Sequence, residues 1–310
     1  MLPEFREWMI NVSKLDTFAG HRDAVYTLAP SQYPNRFYSA GSDGLVVEWD
    51  LEKPDLGKLV ARAGSSVYAL AYDFSRDHLL VGQNFDGIQF VDPEQKALVG
   101  SVKVTASAIF DIQIYGNEAY LAFGDGVVGV MDLEHRAMKK HVKLSDKSAR
   151  TLAVSPDGQH LTVGLSDRSV RVLERTSMMP VHSLQGHTNS VFTAVYTLDG
   201  NFLLTAGRDA RFRVWDVRNE YQPVQEVVGH MYAINHIAFH PEGHLFATCS
   251  MDKSIKLWDA ATFRLLKVID RSRHAGHGTS VNKLYWTSFE NLLISASDDR
   301  MLSVWEIREE

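Results

Sequence analysis

Ser or Thr, His and Asp recur together in this sequence, and they are the residue types of a nucleophilic catalytic triad. In such a triad the His takes the proton of the hydroxyl group and the Asp orients the His ring. In the stretch 187–216, Thr205 follows His187 by 18 positions, Asp209 follows it by 22 and Trp215 by 28. Hydrolysis through an activated Thr hydroxyl is the first chemistry that this stretch suggests.

The same residue types stand at the same offsets in four places. The four sets are His21, Ser39, Asp43 and Trp49; His187, Thr205, Asp209 and Trp215; His230, Thr248, Asp252 and Trp258; and His277, Ser295, Asp299 and Trp305. A catalytic site needs one exposed copy with an oxyanion hole and a pocket. Four equal copies therefore favour a structural role within an internal repeat.

The elements that position these sets are seven units, each closed by a Trp-Asp pair or a similar pair. The pairs are Trp49-Asp50, Val91-Asp92, Met131-Asp132, Leu173-Glu174, Trp215-Asp216, Trp258-Asp259 and Trp305-Glu306. Successive pairs are 40 to 47 residues apart. This spacing is typical of a propeller blade with four strands.

At this point the sequence resembles the WD-repeat family, over nearly the whole chain and most specifically in units one, five, six and seven. The resemblance implies an all-β fold, a seven-bladed β-propeller of four-stranded antiparallel blades that end near residues 50, 92, 132, 174, 216, 259 and 306. It also implies that each set forms a buried relay, in which Asp orients His, His meets the hydroxyl and the hydroxyl bonds the Trp indole. Removing one member would leave the others unpaired, at a cost of about 1 to 3 kcal/mol.

The chain ends carry an expectation about ring closure. Only five residues follow Trp305, whereas Val12 to Phe18 has the character of an outermost strand without a blade of its own. We expect this strand to complete the last blade, so that residues 11–310 form one propeller and residues 1–10 an N-terminal extension. Phe5, Trp8, Met9 and Ile10 of that extension could dock a partner or cap the ring, or form a short packed tail.

Aligning the innermost strands places one residue of each unit just after a recurrent apolar position. These residues are Tyr26, Tyr68, Phe110, Arg150, Phe192, Asn235 and Asn282. In a closed ring they would surround the mouth of the central channel, on the face that WD-repeat proteins use most for partners. We expect this surface to include the residues just before three relay Asp positions, Arg208, Met251 and Asp298. We expect a solvent-exposed blade face at Arg211, Arg213 and Arg218. The aromatic set favours a partner-binding cluster, with a plug of the channel as the alternative.

Composition narrows the function classes. The net charge of -6 gives no general attraction to phosphate, so nucleic acid is an unlikely partner. A single cysteine, Cys249, allows no intrachain disulfide, and there is no apolar run long enough for a membrane span or a secretory signal. We expect a cytoplasmic, monomeric propeller that works within a larger complex of proteins.

Thirteen histidines raise the question of a metal site. His236, His240 and His244 are four apart, a spacing that gives no common ligand geometry on a strand and turn, and His274 with His277 is a weaker pair. We therefore expect no metal and no cofactor. The expected function is a non-catalytic protein-protein interaction scaffold. The alternatives are a hydrolase or lactonase with a channel site, and a binder of anionic ligands or nucleic acid through Arg150 and Arg208.

Overall fold

Twenty-eight β-strands form seven four-stranded antiparallel sheets in the computed structural model, which describes residues 10–54, 57–104 and 106–309. Blades 1 to 3 consist of β2 (Val25–Pro30), β3 (Arg36–Gly41), β4 (Leu45–Asp50), β5 (Lys58–Arg62); β6 (Val67–Asp73), β7 (His78–Gln83), β8 (Gly87–Asp92), β9 (Ala97–Val102); and β10 (Ile109–Tyr115), β11 (Glu118–Phe123), β12 (Val127–Asp132), β13 (Ala137–Lys143). Blades 4 to 6 consist of β14 (Ala149–Val154), β15 (His160–Leu165), β16 (Val170–Glu174), β17 (Pro180–Leu184); β18 (Val191–Tyr196), β19 (Phe202–Gly207), β20 (Arg211–Asp216), β21 (Gln222–Val228); and β22 (Ile234–Phe239), β23 (Leu245–Ser250), β24 (Ile255–Asp259), β25 (Leu265–Ile269).

Blade 7 joins the two ends of the described chain. Its strands are β26 (Val281–Trp286), β27 (Leu293–Ser297), β28 (Met301–Glu309) and, on the outside, β1 (Ile10–Ala19). The expected pairing of the N-terminal strand with the last blade is confirmed. The strand begins earlier than expected, because Ile10 pairs with Glu309 and is buried, so this residue belongs to blade 7 rather than to an extension. Phe5, Trp8 and Met9 lie outside the described residues.

The innermost strands close into a ring. They contact one another in the order β2, β6, β10, β14, β18, β22, β26 and back to β2. The seven-bladed β-propeller expected from the repeat is therefore confirmed, and every innermost strand faces the central channel.

The hydrophobic core lies between neighbouring blades. One cluster joins Phe18 and Val304 of blade 7 to Val25 and Trp49 of blade 1, and each of the other blade interfaces is filled in the same way. The middle strands are apolar on both faces because blades cover them on both sides. The outermost strands alternate instead, and β13 exposes every second residue.

Helical structure is confined to two short connections in the described ranges. A 3₁₀ turn, Val217–Asn219, links β20 to β21, and α1, Arg271–His274, precedes blade 7. The Asp270 side chain caps α1 by accepting a hydrogen bond from the Arg273 backbone N–H at 2.9 Å. Among the described residues there is no helix with the length and apolarity that crossing a membrane requires.

Candidate functional site

The innermost strand of every blade contains a β-bulge at the same point. The strand ladder skips one residue directly after an apolar residue that is fully buried, and the skipped residues are Tyr26, Tyr68, Phe110, Arg150, Phe192, Asn235 and Asn282. A bulge re-aims the side chain of the unpaired residue. All seven side chains accordingly line one cavity of about 260 Å³ at the end of the channel, which we call the mouth.

Blades 1 to 5 contribute a continuous stack to the mouth. The rings of Tyr26 and Tyr68 have centroids 4.8 Å apart, and those of Tyr68 and Phe110 are 5.5 Å apart. The Arg150 guanidinium lies 3.8 Å from the Phe110 centroid and 5.1 Å from that of Phe192. Offset stacking and cation-π attraction both stabilise this arrangement. We call these five residues the aromatic arc.

Blades 6 and 7 contribute amides that tie the ring together. The Asn235 side chain donates to the Val281 carbonyl at 2.8 Å, from blade 6 to blade 7. The Asn282 side chain donates to the Val25 carbonyl at 2.9 Å, from blade 7 to blade 1, and to the Asp298 carboxylate at 2.7 Å. These two members of the mouth are therefore already engaged in cross-blade contacts.

Charged and titratable side chains also line the mouth. Asp111 accepts hydrogen bonds from the backbone N–H groups of Ile112 at 2.9 Å and Leu152 at 2.7 Å. Burial, and then the charge of Lys283, hold the pKa of His236 well below its usual value, so the imidazole is neutral at pH 7. Burial also lowers the pKa of Arg150, whose guanidinium nevertheless stays charged.

The rim residues expected from the sequence lie on the same face. The backbone N–H groups of Arg208, Met251 and Asp298 donate to the carbonyls of the small residues that precede the innermost strands, at 2.8, 3.0 and 3.0 Å. This pairing places all three beside the mouth, where their side chains are exposed.

The relay residues form the same chain of hydrogen bonds in four blades. In blade 5, Trp215 Nε1 donates to Thr205 Oγ1 at 2.9 Å, the Thr205 hydroxyl donates to His187 Nε2 at 2.9 Å, and His187 Nδ1 donates to Asp209 at 3.0 Å. The corresponding bonds in blades 1, 6 and 7 are 2.7 to 3.1 Å long. The hydroxyl-bearing residues are Ser39, Thr205, Thr248 and Ser295, and all four are fully buried.

This burial decides what the relay can do chemically. A nucleophile must reach a substrate, and these hydroxyls lie inside the blades between a Trp and a His. In the blades without a relay, the hydroxyl position holds Val81, Leu121 or Val163, each fully buried. These blades keep the relay Asp as Asp86, Asp125 or Asp167, but their buried hydroxyl position is apolar, so no unpaired hydroxyl is left inside the blade.

The repeat also matches a known family. A family model described as "WD domain, G-beta repeat" matches residues 12–50, 137–173, 178–216, 221–259 and 270–306, which together make up more than half of the chain. The chain belongs to the WD-repeat family. The first matched segment runs from β1 to β4, so a WD repeat begins on the outermost strand of one blade and ends on the third strand of the next.

Two relatives and one solved structure place the WD repeats of this chain in context. Periodic tryptophan protein 2 homolog of Mus musculus is 22% identical over 234 residues, which cover 68% of this chain and 26% of that protein. Target of rapamycin complex subunit wat1 of Schizosaccharomyces pombe is 32% identical over 79 residues, 25% of each chain. The chain thus matches about a quarter of the length of these relatives. The WD40 beta propeller domain of Doa1 superposes with a TM-score of 0.84 at 15% identity, covering 96% of this chain and 97% of that one, which shows a shared fold.

Sequence reasoning missed three exposed apolar residues on the mouth face of this WD-repeat protein. Phe85 is 60% exposed, Met231 82% and Tyr232 62%. A signal for Phe85 was present, because it precedes Asp86 as Arg208 precedes the relay Asp209. Met231 and Tyr232 directly follow the relay residue His230, in a loop that an alignment of strands does not include.

The expectation that Arg213 is solvated is wrong. Its guanidinium donates to Asp209 at 3.0 Å and to Glu226 at 2.6 Å, and the residue is 5% exposed. The reason is strand pairing: Arg213 on β20 lies opposite Glu226 on the outermost strand β21, which covers it. Burial acts to raise the pKa of Asp209, but its hydrogen bonds with His187, the Thr188 backbone N–H and Arg213 hold that pKa well below the usual range.

The expectation that the spaced histidines share no ligand geometry is wrong for His240 and His244. The turn between β22 and β23 folds them together, so that one ligand atom each of His240, Glu242 and His244 lies within 4.8 Å of the others. His236 lies apart from them in the mouth. His240 Nδ1 accepts a hydrogen bond from the Glu242 backbone N–H at 3.1 Å, and His244 Nε2 meets Glu309 at 2.6 Å, so both rings have hydrogen-bonding roles in the turn.

Proposed function

We propose that this WD-repeat protein is a non-catalytic interaction scaffold that docks a peptide or protein segment on the mouth and its rim. One observation carries the proposal: seven bulges aim seven side chains into a single cavity, and five of them form the aromatic arc. Aromatic and Arg side chains are the residue types that contribute most to the binding energy of protein interfaces.

The exposed apolar residues beside the mouth support the same surface. Met231, Tyr232 and Met251 cluster on blade 6, since the backbone N–H of Met251 donates to the carbonyl of Ala233. Large apolar side chains that remain exposed together on a soluble protein usually belong to an interface. We propose that they extend the docking surface outward from the aromatic arc.

The setting of this function is a larger protein complex. One relative, target of rapamycin complex subunit wat1, is by its name a protein that works in an assembly. We propose that the present chain likewise acts as one monomeric propeller among several proteins. A cytoplasmic location is part of the proposal and is supported by the single cysteine, which is buried as a free thiol.

A mouth variant tests the docking site. The variant carries Tyr26, Tyr68, Phe110 and Phe192 as Ala, and the matched control carries Leu98, Val181, Val224 and Leu265 as Ala, four exposed apolar residues of outermost strands. Partners recovered by chemical cross-linking and mass spectrometry should be lost from the mouth variant and retained by the control, with both proteins folded by circular dichroism. If the mouth variant keeps every partner of the wild type, the docking site is elsewhere.

A further inference from the structure

Arg150 is a partly buried cation whose guanidinium lies between two rings, and its N–H donors have no partner within the described residues. Phe110 and Phe192 flank the guanidinium at 3.8 and 5.1 Å. Within the described ranges, no carboxylate forms an ion pair with it and no acceptor forms a hydrogen bond with it. An arginine has five N–H donors, and those of Arg150 open into the mouth.

Two other poorly exposed arginines, Arg213 and Arg175, have acidic partners. Arg213 donates to Asp209 and Glu226, and Arg175 meets Glu118 at 3.2 Å. A buried charge without a partner is costly, and an ion pair lowers that cost. Arg150 differs from these two in having no acidic partner among the described residues, so its guanidinium is available to a carboxylate of another molecule.

The net charge of the side chains that line the mouth favours binding of such a carboxylate. Asp111 is the one acid among the described lining residues, and each of its oxygens already accepts a backbone hydrogen bond. Lys283 is the second cation of the lining. With His236 neutral, two cations and one carboxylate leave a single net positive charge, which suits a monoanion better than a doubly charged phosphate.

We propose that the mouth binds an acidic segment of a partner protein, with the carboxylate of an Asp or Glu side chain held by the donors of Arg150. This inference rests on the proposed function and specifies the chemistry of the partner. The planar guanidinium presents two parallel N–H donors to a planar carboxylate, while the flanking rings fix its orientation. The cavity of about 260 Å³ accommodates a side chain rather than a folded domain, and residues beside the acid would pack on the aromatic arc.

The test is a selection of random dodecapeptides on the intact wild-type protein, followed by affinity measurements on the selected peptides. The expected result is a consensus with a fixed Asp or Glu. Arg150→Met should weaken binding roughly 10- to 100-fold, the effect of losing a charge-assisted hydrogen-bond pair. Changing the acid of the peptide to its amide should weaken binding similarly, and should cost little more once Arg150 is Met. Arg218→Gln is the charge-matched control, since Arg218 lies in the β20–β21 connection at the opposite end of its blade and should leave affinity unchanged.

The outcomes separate this inference from the proposed function. Peptides that lose affinity in the Tyr26, Tyr68, Phe110 and Phe192 variant but contain no required acid would overturn the acidic partner alone. A library without any mouth-dependent binder would contradict both. Tighter binding of a phosphoserine peptide or a random oligonucleotide would replace the carboxylate with phosphate chemistry. Arg150→Met should also melt no lower than the wild type, because Met packs well between rings, and a lower melting temperature would make Arg150 a structural residue instead.

Discussion

Phe18 on β1 and Trp49 on β4 stack with their ring centroids 5.4 Å apart. Phe18 belongs to the strand that completes blade 7, whereas Trp49 is the relay tryptophan of blade 1. The contact therefore joins the closing strand to the first blade, so that one aromatic pair links ring closure to the relay.

Phe18→Ala should destabilise the protein by about 3 to 5 kcal/mol, because it removes a fully buried ring and leaves a cavity against Trp49. The free energy of unfolding from urea titration measures the loss. Leu15→Ala on the same strand is the control, since Leu15 is half exposed and should change stability by less than about 0.5 kcal/mol. Equal effects of the two changes would contradict the role given to Phe18.

Deleting residues 1–19 should lower the melting temperature and promote self-association. The deletion removes β1 and leaves the backbone groups of β28 unpaired along an open edge. Thermal melting and size-exclusion chromatography with light scattering follow the two effects. A deletion of residues 1–9 is the matched control, and the closing role of β1 requires the longer deletion to be clearly the more harmful.

Thr205→Val should cost about 1 to 3 kcal/mol, because it leaves His187 and the Trp215 indole without their shared partner in a buried site. Thr188→Val makes the same change at an exposed position and should be nearly neutral. Chemical denaturation provides the comparison. A neutral Thr205→Val would show that the relay contributes little stability to blade 5.

Arg213→Met should destabilise the protein by about 3 to 5 kcal/mol, because it removes one partner of the buried ion pair between Arg213 and Asp209. Arg211→Met removes the exposed neighbour that also pairs with Glu226 and should cost less than about 1 kcal/mol. Unfolding free energies of the two variants form the test. If both losses are small, the burial of Arg213 is energetically unimportant.

Stability should fall as the solution is acidified below pH 6.5, the ordinary pKa of His. Burial lowers the pKa of His236 in the folded state, so the unfolded chain takes up the proton first. The stabilisation is complete above the unfolded pKa and is lost as pH decreases toward the folded one. Between pH 7.5 and 5.5 the contribution of one such group reaches about 1.4 kcal/mol.

The comparison of wild type and His236→Gln isolates this group. The variant should lose less stability between pH 7.5 and 5.5 than the wild type does. Part of the loss should remain in the variant, because burial also lowers the pKa values of His21 and His230. Unfolding free energies at the two pH values give the result. An identical decline in both proteins would remove His236 as a contributor.

The fold was predictable from the sequence because its signals are local and repeated. Pairs such as Trp49-Asp50 and Trp215-Asp216 mark the end of the third strand of a blade. The recurrent apolar residue marks the buried start of the innermost strand. Seven copies of one pattern compensate for the weak signal of each copy. The seven bulge residues of the mouth could be listed from the same alignment, whereas Asp111, His236 and Lys283 of its lining could not.

The sequence alone could not determine what those residues do to one another. Arg150 lies between Phe110 and Phe192, each about 40 positions away, and Arg213 is buried by a strand that pairs with its own. His240 and His244 meet because a turn reverses the chain between them. Spacing along the sequence sets the blades, since six of the seven blades fold from consecutive residues. Burial, stacking and charge pairing were decided only by the tertiary structure, because they depend on which side chains the closed ring brings together.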